Sequence, residues 1–109
     1  MEIIVRENDE LVKGRITFEH ILNDEEKAGK VKLYARGTFE PGTELGYHEH
    51  HGECESYFIL EGEGIYNDDN NLRPVKAGDT TLCKSGHGHG IKNTGDGPLV
   101  IMALIYYVD

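Results

Sequence analysis

Long apolar runs are what this sequence most plainly lacks. The longest closes the chain as LVIMALIYYV, Leu99 to Val108, well short of the roughly 20 residues that a membrane-spanning helix needs. A soluble protein with no membrane partner is therefore expected. Basic residues are scarce as well: Lys and Arg number 11 against 20 Asp and Glu, for a net charge of −9. Phosphate backbones are bound by displacing counterions with Lys and Arg, so this balance argues against a nucleic-acid partner and is read as a solvated acidic surface. Cysteine is nearly absent. Cys54 and Cys83 are the only two, too few for a disulfide framework and without the CxxC spacing of zinc or thioredoxin chemistry, so reduced thiols are expected. The N-terminus, MEIIVRENDE, offers neither an extended apolar stretch nor a small-residue cleavage site, and the expectation is a cytoplasmic protein.

Glycine, by contrast, is abundant: 14 among 109 residues, about twice the usual share of roughly 7%. The glycines punctuate short apolar or alternating runs, which is the pattern of an all-β chain. Strands are predicted over Gly14–Ile21, Val31–Phe39, Tyr47–His50, Glu55–Leu60, Gly64–Asn67, Leu72–Val75, Thr80–Cys83, Gly90–Lys92 and Leu99–Val108. Between them, Glu40-Pro41-Gly42, Asn67 to Asn71, Lys76 to Asp79 and Asn93 to Pro98 supply turn residues. The polar run Asn23 to Lys30 is either a loop or one short helical turn. A chain of this length suits one compact domain, 1–109. The last strand is apolar at consecutive positions, so both of its faces should be covered. One face can enter the core, and a second subunit in a homodimer is the expected cover for the other.

Histidines gather in two segments. In GTELGYHEHHGECESYFILEG, Gly42 to Gly62, His48 and His50 stand two apart. On a strand residues i and i+2 share a face, so two imidazoles can reach one ion, whereas on a helix they would diverge. Glu55 follows past the turn at Gly52 and could add a carboxylate. In GDTTLCKSGHGHGIKN, Gly78 to Asn93, His89 lies between two glycines, where backbone can come close to whatever the imidazole binds. The plainer alternative is a set of histidines hydrogen-bonded in the core.

These segments resemble the two motifs of the cupins. The first is Gly, five residues, His-x-His, three or four residues, Glu, six residues, Gly, and it is met at Gly42, His48, His50, Glu55 and Gly62. The second is Gly, five residues, Pro-x-Gly, two residues, His, three residues, Asn, and it is met at Gly78, Gly86, His89 and Asn93, with Lys84 in place of the proline. Residues 63 to 77 separate the motifs, a short spacer of the kind seen in compact microbial cupins. The resemblance implies a double-stranded β-helix, or jelly-roll barrel, with His48, His50, Glu55 and His89 as ligands to one divalent metal ion. That donor set suits Mn, Fe, Co, Ni, Cu or Zn and leaves coordination positions open. It further implies a metalloenzyme acting on a small polar molecule, of dioxygenase, decarboxylase, isomerase or lyase type, or a metal-containing small-molecule binding protein without turnover. An enzyme should keep an inward acid or base beside the open position; a cavity that is apolar apart from the ligands favours binding.

Several neighbours are candidates for the pocket. Tyr57 shares strand parity with Glu55, so its ring should point inward, to pack in the core or touch a substrate. Cys83 is expected to line the cavity as a small hydrophobe, and His87 to sit at the pocket rim. His51 should face solvent or the mouth. Glu44, Glu49 and Glu53 are read as solvated charges, and Arg36, Arg73 and Lys84 as the cations available to anchor an anionic substrate.

Overall fold

The computed structural model describes residues 1–108, and its regular secondary structure is almost all strand. In chain order these are β1 (Glu2–Glu7), β2 (Val12–Lys13), β3 (Arg15–His20), β4 (Val31–Phe39), β5 (Glu44–Glu49), β6 (Glu53–Glu61), β7 (Glu63–Asp68), β8 (Asn71–Lys76), β9 (Thr80–Cys83), β10 (Gly88–Asn93) and β11 (Leu99–Tyr107). They form two antiparallel sheets, one of six strands in the order β1-β3-β4-β11-β6-β9 and one of five in the order β2-β5-β10-β7-β8. The chain crosses repeatedly between the sheets, which face each other as a jelly-roll barrel.

Alternation decides which side chains fill the barrel. On β11, Leu99, Ile101, Ala103 and Ile105 are buried while Val100, Met102, Leu104 and Tyr106 are only half-buried. The sequence led us to expect cover on both faces of this strand; within one chain its outer face keeps partial exposure, beside the exposed Phe58 and Leu60 of β6. The inner face packs against Phe18, Phe39, Tyr57 and Ile59.

The strand prediction missed β1 and β2. β1 is a peripheral strand with no buried side chain, so the hydrophobic pattern that marks a half-buried strand is absent from it; backbone pairing to β3, from Glu2↔His20 to Glu7↔Arg15, holds it instead. β5 starts at Glu44 because Glu44 and Leu45 pair with both Lys13 and Val12 of β2 and Lys92 and Ile91 of β10. The polar run after β3 forms one helical turn, α1 (Asp24–Lys27), closed by a capping box in which Asn23 accepts from the Glu26 backbone N–H and Glu26 accepts from that of Asn23.

Two features of the β5–β10 pairing bring the histidines together. His89 lies directly opposite His48 in the β5–β10 ladder, and a register shift sets Gly90 alone against Gly46 and Tyr47, a bulge on β5. A side chain at Gly90 would press on the Leu45 carbonyl and the Tyr47 amide, so the close approach of the two histidine-bearing strands depends on glycine there.

Candidate metal centre

The site draws on both sheets. His48 comes from β5 and His50 from the residue just beyond its end, two positions further along the same face; His89 comes from β10, and Glu55 reaches across from β6. One potential ligand atom from each of the four lies within 4.8 Å of all the others. Glu55 Oε1 is 2.9 Å from His89 Nε2, 3.0 Å from His50 Nε2 and 3.6 Å from His48 Nε2. His50 Nε2 and His89 Nε2 stand 3.1 Å apart. His89 is wholly buried, His50 and Glu55 nearly so, and His48 is partly open.

Each imidazole is oriented through its other nitrogen. His48 Nδ1–H donates to the Gly46 carbonyl at 2.8 Å and His50 Nδ1–H to the Glu53 carboxylate at 2.8 Å, while His89 Nδ1 contacts the Tyr66 hydroxyl at 2.7 Å. A carbonyl and a carboxylate can only accept, so in neutral His48 and His50 the proton is fixed on Nδ1 and a lone pair on Nε2 faces the centre. With the Glu55 carboxylate, that makes a convergent set of lone-pair donors. Burial pushes the Glu55 carboxyl up, but when the Nε2 atoms of His48, His50 and His89 carry protons they donate to it, outweigh burial and hold the carboxyl well below its usual range; a metal ion would take the place of those protons. Glu55 is thus an anion in the barrel interior, and these four residues could hold a metal ion.

Tyr57 stacks on His89, ring centroids 4.9 Å apart, and its hydroxyl donates to Glu55 at 3.3 Å. Burial, reinforced by the Glu55 charge, raises its pKa far above normal, so it is a neutral donor and not a base. A cavity of about 170 Å³ opens beside the cluster, touching His48, His50, Glu53, Glu55 and Tyr57. Its remaining wall is largely apolar, from Leu11, Phe18, Leu33, Ile101, Ala103 and Ile105 among others, with Arg6 and Lys32 as the cations among the described residues that line it.

Other expectations need revision. Glu53 is no solvated charge: it is buried behind His50, and Lys32 Nζ lies 3.2 Å from it on the outer side. Its shared parity with Glu55 on β6 was the available signal. Arg36, Arg73 and Lys84 do not line the cavity. Arg36 projects outward from β4 onto Glu19, its cross-strand partner, at 2.8 Å, and Arg73 lies over the Tyr66 ring. Cys83 faces inward opposite Glu55, yet its depression, shared with Asp69, Lys84 and His87, is separate from the metal-side cavity. Burial pushes its thiol up to about 11. His87 is exposed and pairs with Asp69 across the loop, away from the metal-side cavity, whereas His51 faces solvent as expected, against Glu49. Arg6, Lys32 and Tyr66 escaped the sequence reading. Arg6 and Lys32 lie in segments remote from the motifs, and Tyr66 resembles any inward aromatic until β7 is paired with β10.

A double-sheet barrel closed around three imidazoles and one carboxylate is the class of protein that fold and site define. The sequence model of the cupin domain matches residues 35–105, and the chain belongs to that family. It is 42% identical over 93 residues to an oxalate-binding protein of Thermotoga maritima, covering 85% of this chain and 77% of that protein. The crystal structure of a predicted oxalate decarboxylase from Thermotoga maritima superposes with a TM-score of 0.93 at 38% identity, over 97% of this chain and 92% of that one. A shorter match, 58 residues at 50% identity, links 49% of this chain to 22% of (S)-ureidoglycine aminohydrolase of Escherichia coli.

Proposed function

We propose that this cupin binds one divalent transition-metal ion through the Nε2 atoms of His48, His50 and His89 and the carboxylate of Glu55, and through it a small carboxylate from the adjoining cavity. The observation that carries the reading is the tautomer pattern. Two lone pairs fixed by outer hydrogen bonds, a third imidazole and a buried anion converge within 4.8 Å, an arrangement that repels itself unless a cation lies between. Such an ion supplies Lewis-acid attraction for carboxylate oxygens. The oxalate-binding relative supports an acid as ligand.

Binding without turnover is the better-supported form of this function. Among the described residues that line the cavity, the titratable side chains outside the cluster are already engaged: Glu53 by His50 and Lys32, Arg6 by Asp9, and Tyr57 by Glu55. No free acid or base stands ready beside the cluster. Turnover is the second reading, favoured by the similarity of half the chain to an aminohydrolase. The metal is of the Mn, Fe, Co, Ni, Cu or Zn group. The protein acts in the cytoplasm as one domain over residues 1–109 and as a homodimer, packed through the apolar outer face where Tyr34, Phe58, Leu60, Met102 and Leu104 lie together.

Elemental analysis of protein prepared without added metal tests the centre. About one divalent ion per chain is expected, lost from His50→Ala and from His89→Ala; full metal content in both variants would overturn it. Calorimetric titration of the loaded protein with oxalate then tests the acid, and absence of metal-dependent heat would count against it.

A further inference from the structure

The cavity is roomier and more apolar than oxalate requires. At the roughly 30 Å³ that a water takes in the liquid, its volume of about 170 Å³ holds about six waters, or on the order of eight to ten covalently linked non-hydrogen atoms, which pack closer, against the six of oxalate. Apart from Arg6 and Lys32, the polar groups gather at the cluster. The wall leading away from it is made by Phe18, Leu33, Ile101, Ala103 and Ile105, none of which can pair with a second carboxylate.

The two cations at the cavity are both committed. Arg6 makes a two-point contact with Asp9, Nε at 2.8 Å and Nη2 at 3.2 Å, and Asp9 is itself held by the backbone N–H groups of Leu11 and Val12. Lys32 Nζ lies 3.2 Å from Glu53, the carboxylate that orients His50. A distal anion would have to share a cation already paired with a carboxylate and face that negative charge at close range, a cost that offsets part of the attraction. An aliphatic body would fill the same space at no such cost and gain from leaving water.

We propose that the ligand is a monocarboxylic acid bearing oxygen at the neighbouring carbon, a 2-oxo or 2-hydroxy acid, with an aliphatic body of roughly three to five carbons. Its oxygen-bearing head lies at the His48–His50–Glu55–His89 cluster and its body against Phe18, Leu33, Ile101, Ala103 and Ile105. The inference rests on the metal-dependent acid-binding reading above and specifies the acid.

Calorimetric titration of the Mn2+-loaded protein with four acids tests it. Pyruvate carries the head alone, 4-methyl-2-oxopentanoate adds a branched aliphatic body, 2-oxoglutarate adds a distal carboxylate, and oxalate checks the parent reading. Burial of apolar groups favours binding by about fourfold per methylene, so the branched acid should bind on the order of 60-fold more tightly than pyruvate, and at least tenfold. 2-Oxoglutarate should bind no more tightly than pyruvate. Ala103→Leu, which narrows the cavity, should pull the ratio of branched acid to pyruvate toward one. Leu33→Asn, on the half-exposed wall, should do so too and guards against an overfilled barrel that fails to fold. Should oxalate and pyruvate bind while the branched acid gains nothing, or should 2-oxoglutarate bind best, the specificity proposal is overturned and the acid-binding reading stands. Should none of the four bind, both are overturned.

Discussion

At the scale of single residues, the informative contacts lie one layer behind the cluster. Glu53 shares the His50 Nδ1 proton and is steadied by Lys32. Outer partners of this kind fix ring orientation and raise ligand basicity, and their loss commonly weakens metal affinity by about 10- to 100-fold. Glu53→Ala should do so by competition against a chelator, and Glu53→Gln, which keeps an acceptor but no charge, should fall between it and the parent. The metal-free protein should also titrate unevenly. The hydrogen bond to Glu55 raises the His50 pKa, against burial and with help from Glu53, whereas burial lowers that of His89, against its bond to Glu55. His50 therefore contributes stability that is complete below its unfolded value of about 6.5 and is lost as pH rises through the raised folded value. His89 acts in the opposite sense: acid costs stability from about pH 6.5 down to its lowered folded value, because the unfolded chain takes the proton first. An NMR titration of the imidazoles should show His50 titrating at higher pH than His89. In the loaded protein every ligand nitrogen must be unprotonated, so dialysis at acid pH should strip the ion.

Elements carry the motif glycines, and there the sequence and the structure can be compared closely. Gly62 ends the first motif in the turn from β6 to β7, at φ 87°. A methyl group there would overlap the Pro98 carbonyl and come within 3.1 Å of Leu99 Cα. Gly62→Ala should cost about 1–3 kcal/mol or more in a denaturant midpoint, through backbone strain and the displaced Pro98–Leu99 segment. The histidine spacing and the inward parity of Glu55 were legible because strand alternation is a local property. So were the turns, since Gly, Pro, Asn and Asp act within a few residues. β1 was illegible because its stability lies in backbone pairing to β3, which leaves no mark on side-chain type. The cavity wall was illegible for a different reason: Arg6, Phe18, Lys32 and Ala103 become neighbours only once β1, β3, β4 and β11 lie side by side. Lys84, the departure from the second motif, is exposed and neither joins the four converging side chains nor lines the cavity beside them.

At the scale of the whole molecule, the outer face of the six-stranded sheet is what distinguishes one chain from a pair. Phe58 and Leu60 are exposed beside half-buried Met102 and Leu104, and a second copy laid on this face would supply the cover that β11 lacks. Light scattering should report the mass of two chains, falling to one in Phe58→Asp with the strand signature retained in circular dichroism. A monomeric parent protein would overturn the homodimer.

Three of the four converging side chains belong to the five-stranded sheet or its immediate extension, and Glu55 alone belongs to the other. An ion bound by all four is therefore a rivet between the two halves of the barrel, joining points 41 positions apart in the chain at its widest, from His48 to His89. Opening the barrel at this end and releasing the ion become a single event. Amide hydrogens around β5 and the start of β6 should then exchange with solvent at a rate set by metal concentration, while those of β1, which no rivet reaches, exchange as quickly with the ion as without it.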